Sequence, residues 1–210
     1  MLTIIGLDPP VSANCGWTVI SLDDAGKLQL HEKFTQVLTY EKGDDRGLED
    51  VYQKLTELIQ KYHPNVLSME RQMGVGFAFG RAKLNEFVGV VKLCCLRNNV
   101  KVAEVSPAHV KLLITGHGQA PKTKIMANVV EVFGLKEPGP EHECDAVAFV
   151  LSYLIDNGWT GYTIRVEYTK AEQKAIKAKK LKRKKKKLAR EKAKLEALAK
   201  TKEETSKGFD

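Results

Sequence analysis

Leu2-Thr3-Ile4-Ile5-Gly6-Leu7-Asp8-Pro9-Pro10 opens the chain. A short apolar run rich in β-formers is followed by a carboxylate and stopped at once by two prolines. It reads as a buried strand with Asp8 at its C-terminal end. Outward from it, Gly16 to Leu22 alternates as a second strand, Asp23-Asp24-Ala25-Gly26 makes a turn, and Lys27 to Val37 alternates again. These three strands form a meander. Arg46 to Tyr62 sets Leu48, Val51, Tyr52, Leu55, Leu58, Ile59 and Tyr62 at helical spacing, with Asp44 or Asp45 as its cap, and His63-Pro64-Asn65 breaks that helix. Val66-Leu67-Ser68-Met69 is a fourth strand, and it too delivers a carboxylate, Glu70, at its C-terminal end.

Gly74 to Gly80 reads as a glycine-rich loop, Arg81 to Arg97 as a mostly apolar helix and Lys101 to Val105 as a fifth strand. Because no Gly-Lys-Ser/Thr follows it, the glycine-rich stretch is a hinge rather than a phosphate-binding loop. Pro107 starts a short helix ending near Gly116, Pro121 starts another that runs to Phe133, and Glu141 to Asp156 forms the last. A meander followed by helix, strand, helix, strand and helices is an α/β pattern whose later crossovers imply strands parallel to the first. Ligands in such sheets sit beyond the carboxyl ends of the strands. If strands one and four are neighbours, Asp8 and Glu70 lie there side by side, and Asp145 in the last helix can reach the same edge. Three converging carboxylates repel one another, which makes sense around divalent cations. Two Mg²⁺ ions about 3.5–4 Å apart could activate a water and stabilise the leaving oxygen of a phosphodiester.

Charge narrows the reading. The last 41 of the 210 residues hold 17 Lys/Arg and six Asp/Glu, leaving 17 basic and 20 acidic residues in the rest. A mildly acidic body thus carries a strongly basic tail, and the overall charge of +8 belongs to the tail. No run approaches the roughly 18 apolar residues of a membrane span, and the N-terminus lacks the pattern of a signal peptide. A cytoplasmic protein with no membrane partner is expected. Cys15, Cys94, Cys95 and Cys144 show no metal-binding or redox spacing and read as buried thiols.

Four stretches together resemble the RuvC-type Holliday junction resolvases. Ile5-Gly6-Leu7-Asp8-Pro9 with Gly16-Trp17 looks like their opening strand, and Ser68-Met69-Glu70-Arg71 like their second acidic motif. Gly116-His117-Gly118-Gln119-Ala120-Pro121-Lys122 is similar to their turn leading into a lysine, and Glu143-Cys144-Asp145-Ala146-Val147-Ala148 to their closing acidic motif. The likeness spans residues 2 to about 156 in order and spacing. It implies a ribonuclease-H-like fold with a five-stranded mixed sheet of order 3-2-1-4-5 flanked by helices. It also implies a homodimer and Mg²⁺-dependent symmetric nicking of four-way DNA junctions, in recombination or repair, with Mn²⁺ able to substitute. Carried over, Asp8, Glu70 and Asp145 are metal ligands. His142 stands where many members have Asp, one helical turn before Asp145, and can ligate a metal or orient water. Lys122, with a catalytic role, and Lys111 match basic positions suited to the scissile phosphate and its neighbours.

The departures are also informative. Pro10 replaces the usual glycine after the first Asp-Pro. Met73 stands where an aromatic would stack on a base, so Phe77 or Phe79, beside Arg81, is expected to supply the DNA wedge. The Lys-rich tail is not typical of the family core and suggests a divergent branch, a viral (bacteriophage) one being the expectation. Lys182, Arg183, Lys184, Lys185, Lys186 and Lys187 form a six-residue cationic block that gains stability on a polyanion by releasing counterions. The helix around Phe87, Val88, Val90, Val91 and Leu93 is the candidate dimer interface. The expected organisation is a nuclease domain over 1–158, a linker or extra strand over 159–169, and a helical or disordered DNA-binding tail over 170–210. Two other classes stay open: a ribonuclease-H-like nuclease acting on RNA:DNA hybrid or flaps, and an inactive DNA-binding scaffold.

Overall fold

The computed structural model describes residues 1–10, 13–39, 45–72, 78–162 and 168–178, with 180–182, 185 and 189–191; the side chains of residues 78–81 lie outside the description. The chain divides into two compact units, Met1–Val166 and Glu167–Asp210. The first contains β1 (Leu2–Asp8), β2 (Asn14–Leu22), β3 (Leu28–Val37), α1 (Arg46–Tyr62), β4 (Val66–Glu70), α2 (Ala78–Arg97), β5 (Lys101–Val105), α3 (Pro107–Thr115), α4 (Lys122–Phe133) and α5 (Glu141–Asp156). The strands form one sheet of order β3-β2-β1-β4-β5. The β1–β2 and β2–β3 pairs are antiparallel, whereas β4 runs parallel to β1 and β5 to β4. This is the mixed sheet and strand order expected above.

Side-chain alternation divides the core between the two faces of the sheet. Ile5 and Leu7 of β1, Cys15, Trp17 and Val19 of β2, and Leu67 and Met69 of β4 pack with α1 and α2 in one cluster. Ile4, Ile20 and Val66 face the other way, into a cluster built on Val110 and Ile114 of α3, Ile125 and Val129 of α4, and the apolar length of α5. The same parity sends Asp8 toward the α5 face, two residues beyond Gly6, and Glu70 likewise, two residues beyond Ser68, whose hydroxyl donates to the Phe149 carbonyl of α5. Two glycines let α5 lie this close. A Cβ at Gly6 would stand 2.3 Å from the Ala146 carbonyl oxygen, and one at Gly16 only 2.0 Å from that of His142.

Three expectations need correction. α2 begins at Ala78, so Phe79 and Gly80 are helical rather than loop, and the helix starts three residues before Arg81. Asp45 sits at the N-cap of α1 but makes no side-chain capping hydrogen bond; its carboxylate accepts from Lys83 of α2 instead. Phe87, Val88 and Val91 are buried in the core against α1 and the sheet, so they are not free to form an interface. Leu93 and Leu96 on the opposite side of α2 are 52% and 75% exposed.

The first unit extends beyond the last helix, for Trp159 and Tyr162 pack onto the α3–α5 core. The second unit is helical over its described residues from 170 onward. Its start is a reciprocal capping box, in which the Glu172 amide donates to the Thr169 hydroxyl at 3.2 Å and the Thr169 amide donates to the Glu172 carboxylate at 2.9 Å. Lys182 and Lys185 are exposed there.

Candidate metal centre

Three elements bring the acidic residues to the carboxyl end of the sheet. Leu7 of β1 pairs with Met69 of β4, so Asp8 and Glu70 leave neighbouring parallel strands side by side. α5 starts above them, and its first two turns carry Glu141, His142, Glu143 and Asp145. His142 and Asp8 meet directly, with His142 Nδ1 hydrogen-bonded to Asp8 Oδ2 at 2.7 Å. Asp145 accepts from Lys122 Nζ at 2.8 Å, and the same ammonium donates to Glu141 at 2.5 Å. Lys122 comes to hand because it opens α4, immediately after the turn ending at Pro121.

The electrostatics express crowding of like charge in a poorly solvated place. Burial first, and then the charges of Asp145 and Glu70, push the Asp8 carboxyl up to about 6, although the His142 hydrogen bond and charge oppose the shift. Burial and the Asp145 charge also raise Glu70, against Lys122 and Lys111. Lys111 thus belongs to the electrostatic surroundings of Glu70. Burial disfavours the Lys122 ammonium, yet its hydrogen bonds to Asp145 and Glu141 outweigh that and hold its proton more tightly than in an ordinary lysine. The Cys15 thiol, buried and close to the Asp8 charge, is held well above its usual range and is inert as a nucleophile.

The donor chemistry suits a hard divalent cation, with three carboxylates and one imidazole on two strands and one helix. As placed, Asp8 bonds to His142 and Asp145 to Lys122 rather than to a common centre, and among the described residues no group of three His, Cys, Asp or Glu is arranged to hold a metal ion. Lys122 and His142 hold the carboxylate oxygens that a cation would share.

Of the other residues singled out in the sequence, Met73 and Phe77 lie outside the described residues, as do Arg183, Lys184, Lys186 and Lys187. Phe79 and Arg81 are placed in the first turn of α2 by their backbone alone. Lys182 and Lys185 belong to the second unit. The sequence reading missed Glu141, the second partner of Lys122, and the ion pair between Lys33 and Glu143. Helical spacing could have pointed to Glu141, which lies four residues before Asp145. The Lys33 pairing joins residues 110 apart and has no local signature.

Comparison with known proteins adds the family. Residues 4–153 match the family model described as crossover junction endodeoxyribonuclease RuvC. The RuvC of Prochlorococcus marinus (strain AS9601) is 32% identical over 163 residues, covering 75% of this chain and 99% of that one. The RuvC of Treponema denticola is 31% identical over 152 residues, covering 72% of this chain and 84% of that one. The Thermus thermophilus RuvC solved in complex with a Holliday junction substrate superposes with a TM-score of 0.67 at 22% identity, over 75% of this chain and 95% of that one, a likeness of fold. With the family model spanning nearly all of the sheet and its flanking helices, the chain belongs to the RuvC family of crossover junction endodeoxyribonucleases.

Proposed function

We propose that this protein is a metal-dependent, structure-selective DNA endonuclease that resolves four-way junctions by paired, symmetric phosphodiester nicks. The observation that carries the proposal is the placement of Asp8, Glu70, His142 and Asp145 at one edge of the sheet in a chain of the RuvC family. Their oxygens and imidazole would hold Mg²⁺, most naturally two ions, with Mn²⁺ as a substitute that the nitrogen ligand favours. Bound there, the ions supply an activated water and charge stabilisation of the leaving oxygen. Asp8 and Glu70 act as carboxylates, Asp8 being poised to lose its proton at about pH 6. His142 is positioned to hold a proton at Nδ1 against Asp8 and to orient water on the ring's other side. Lys122 keeps its proton and would neutralise charge on a scissile phosphate. Lys111 adds positive charge beside Glu70, where the neighbouring phosphate would run.

Two symmetric cuts need two copies of this site, which an isologous dimer supplies. The exposed strip of α2 bearing Leu93 and Leu96 is the surface we assign to it, and Gly89 between the helix turns leaves open space in which a partner helix can approach. The complete acidic set speaks against an inactive scaffold. A labelled synthetic four-way junction, compared with a Y-fork, a linear duplex and an RNA:DNA hybrid in Mg²⁺, Mn²⁺ or EDTA, tests the reading. Paired nicks confined to the junction and abolished by EDTA are expected. Preferential cutting of the hybrid would instead show recognition of 2′-hydroxyls and overturn it.

A further inference from the structure

Beside the acidic residues lies an ion pair with a different geometry. Lys33 of β3 donates to Glu143 of α5 at 2.5 Å, and both side chains are nearly buried, 14% and 10% exposed. Thr35, two residues along the same face of β3, donates to the other oxygen of Glu143 at 3.2 Å. Lys33 also donates to the Pro138 carbonyl at 2.9 Å, in the loop that leads into α5. That loop passes directly over the pair at Gly139, which has a positive φ of 74°; a Cβ there would stand 2.6 Å from the Lys33 ammonium.

The pair joins one edge of the sheet to the first turn of the helix that carries the metal-centre candidates. Glu143 follows His142 directly and precedes Asp145 by two residues. With about 100° of rotation per residue, fixing the carboxylate of Glu143 fixes the directions in which its neighbours leave the helix. Pro140 stands at the N-cap and offers no side-chain hydrogen bond, so the first turn of α5 is tied down through its own side chains, Glu141 by Lys122 of α4 and Glu143 by Lys33 of β3. A negative charge in the first turn also suits the helix dipole, so Glu143 is held there from both directions.

We infer that Lys33, Thr35 and Glu143 form a buried brace that sets the rotation of the first turn of α5 and so aims His142 and Asp145 at Asp8 and Glu70. Its members are positioning residues for the reaction proposed above, and the inference rests on that metal-centre reading. The brace also gives the Glu143 carboxylate its own cation, which keeps it out of the acidic cluster. An ordinary structural ion pair would contribute to stability alone. The brace contributes to metal affinity, because outer partners that orient metal ligands commonly change affinity by about tenfold or more.

The test uses the full chain and the double substitution Lys33→Met with Glu143→Leu, which replaces the pair by apolar groups of similar size and leaves the local net charge unchanged. Such replacements commonly preserve folding. Mn²⁺ binding is read by electron paramagnetic resonance, alongside thermal melting and junction binding in EDTA. Expected are melting and junction binding close to wild type, with Mn²⁺ affinity lowered about tenfold. Unchanged Mn²⁺ affinity in a folded double variant overturns the brace. Should that variant fail to fold, Thr35→Val decides: a smaller loss of Mn²⁺ affinity supports the brace, and wild-type affinity overturns it. Asp8→Asn serves as the control on the reading beneath. If it binds Mn²⁺ as wild type does, the metal centre is misplaced, a failure that does not resemble failure of the brace.

Discussion

Asp8, a ligand in the proposed metal centre, carries a cost to the fold. It is held at about 6 by burial and by neighbouring carboxylates, so between the ordinary value of 3.8 and 6 the folded chain binds more protons here than the unfolded one. Without a metal, its ionisation therefore destabilises the fold as pH rises through that window, by on the order of 3 kcal/mol at most above it. In EDTA, Asp8→Asn is expected to melt above wild type at pH 8 and to lose that advantage near pH 4; a constant difference across the range would contradict the assignment. Nicking by wild type should rise through the same window, since a carboxyl must lose its proton to ligate a metal. The positions of Asp8 and Glu70 were legible in the sequence because each directly follows a short apolar run, so the end of a strand fixes the residue. Asp145 was legible from its place near the start of the last helix, and His142 only through the family resemblance, helical spacing adding that the two share a face. The brace was not, because it depends on β3 register and on α5 docking over a separation of 110 residues.

At the scale of elements, α5 does the assembling. It crosses the sheet so closely that Gly6 and Gly16 admit no side chain. Gly16 pairs with Asp8 across β1 and β2 and lies under the His142 carbonyl, so it sets the gap between the two halves of the site. Gly16→Ala is expected to cost about 3 kcal/mol in stability and to weaken divalent-ion binding, because α5 must lift off the strand that bears Asp8. Calorimetry with Mn²⁺ titration would check both effects, and a variant of wild-type stability and affinity would refute this docking. Nearly every boundary could be read from alternation and from proline and glycine breaks, whereas the strand order followed from the resemblance to the resolvase family rather than from the pattern itself. The start of α2 could not, because three glycines in seven residues favour a loop locally, whereas packing of Phe87, Val88 and Val91 further along sustains the helix. Those same apolar residues illustrate why an interface is hard to read from composition, since a core face and a partner face use the same side chains.

The whole molecule combines an acidic nuclease body with a basic second unit. The charge contrast was visible in the sequence, and the proposed role of the tail rests on it: a polycation on a polyanion releases counterions whatever the base sequence. Deleting residues 170–210 is expected to weaken binding to any duplex and to flatten its salt dependence, by roughly 0.9 in the log–log slope for each phosphate the tail neutralises. An unchanged slope would make the tail a solubilising appendage. Junction selectivity is expected to survive that deletion, because the proposed site lies wholly in the first unit. Catalysis is proposed to rest on the four side chains Asp8, Glu70, His142 and Asp145 at the end of the sheet. The most direct measurement is Mg²⁺-dependent nicking of a four-way junction labelled on opposing strands, with Asp8→Asn, Glu70→Gln, His142→Ala and Asp145→Asn each compared with wild type, and junction binding measured in parallel in EDTA. Expected are paired symmetric nicks by wild type, a loss of at least about a hundredfold in each carboxylate variant, a smaller loss for His142→Ala, and binding retained throughout. Wild-type nicking by any one of the carboxylate variants would contradict the account.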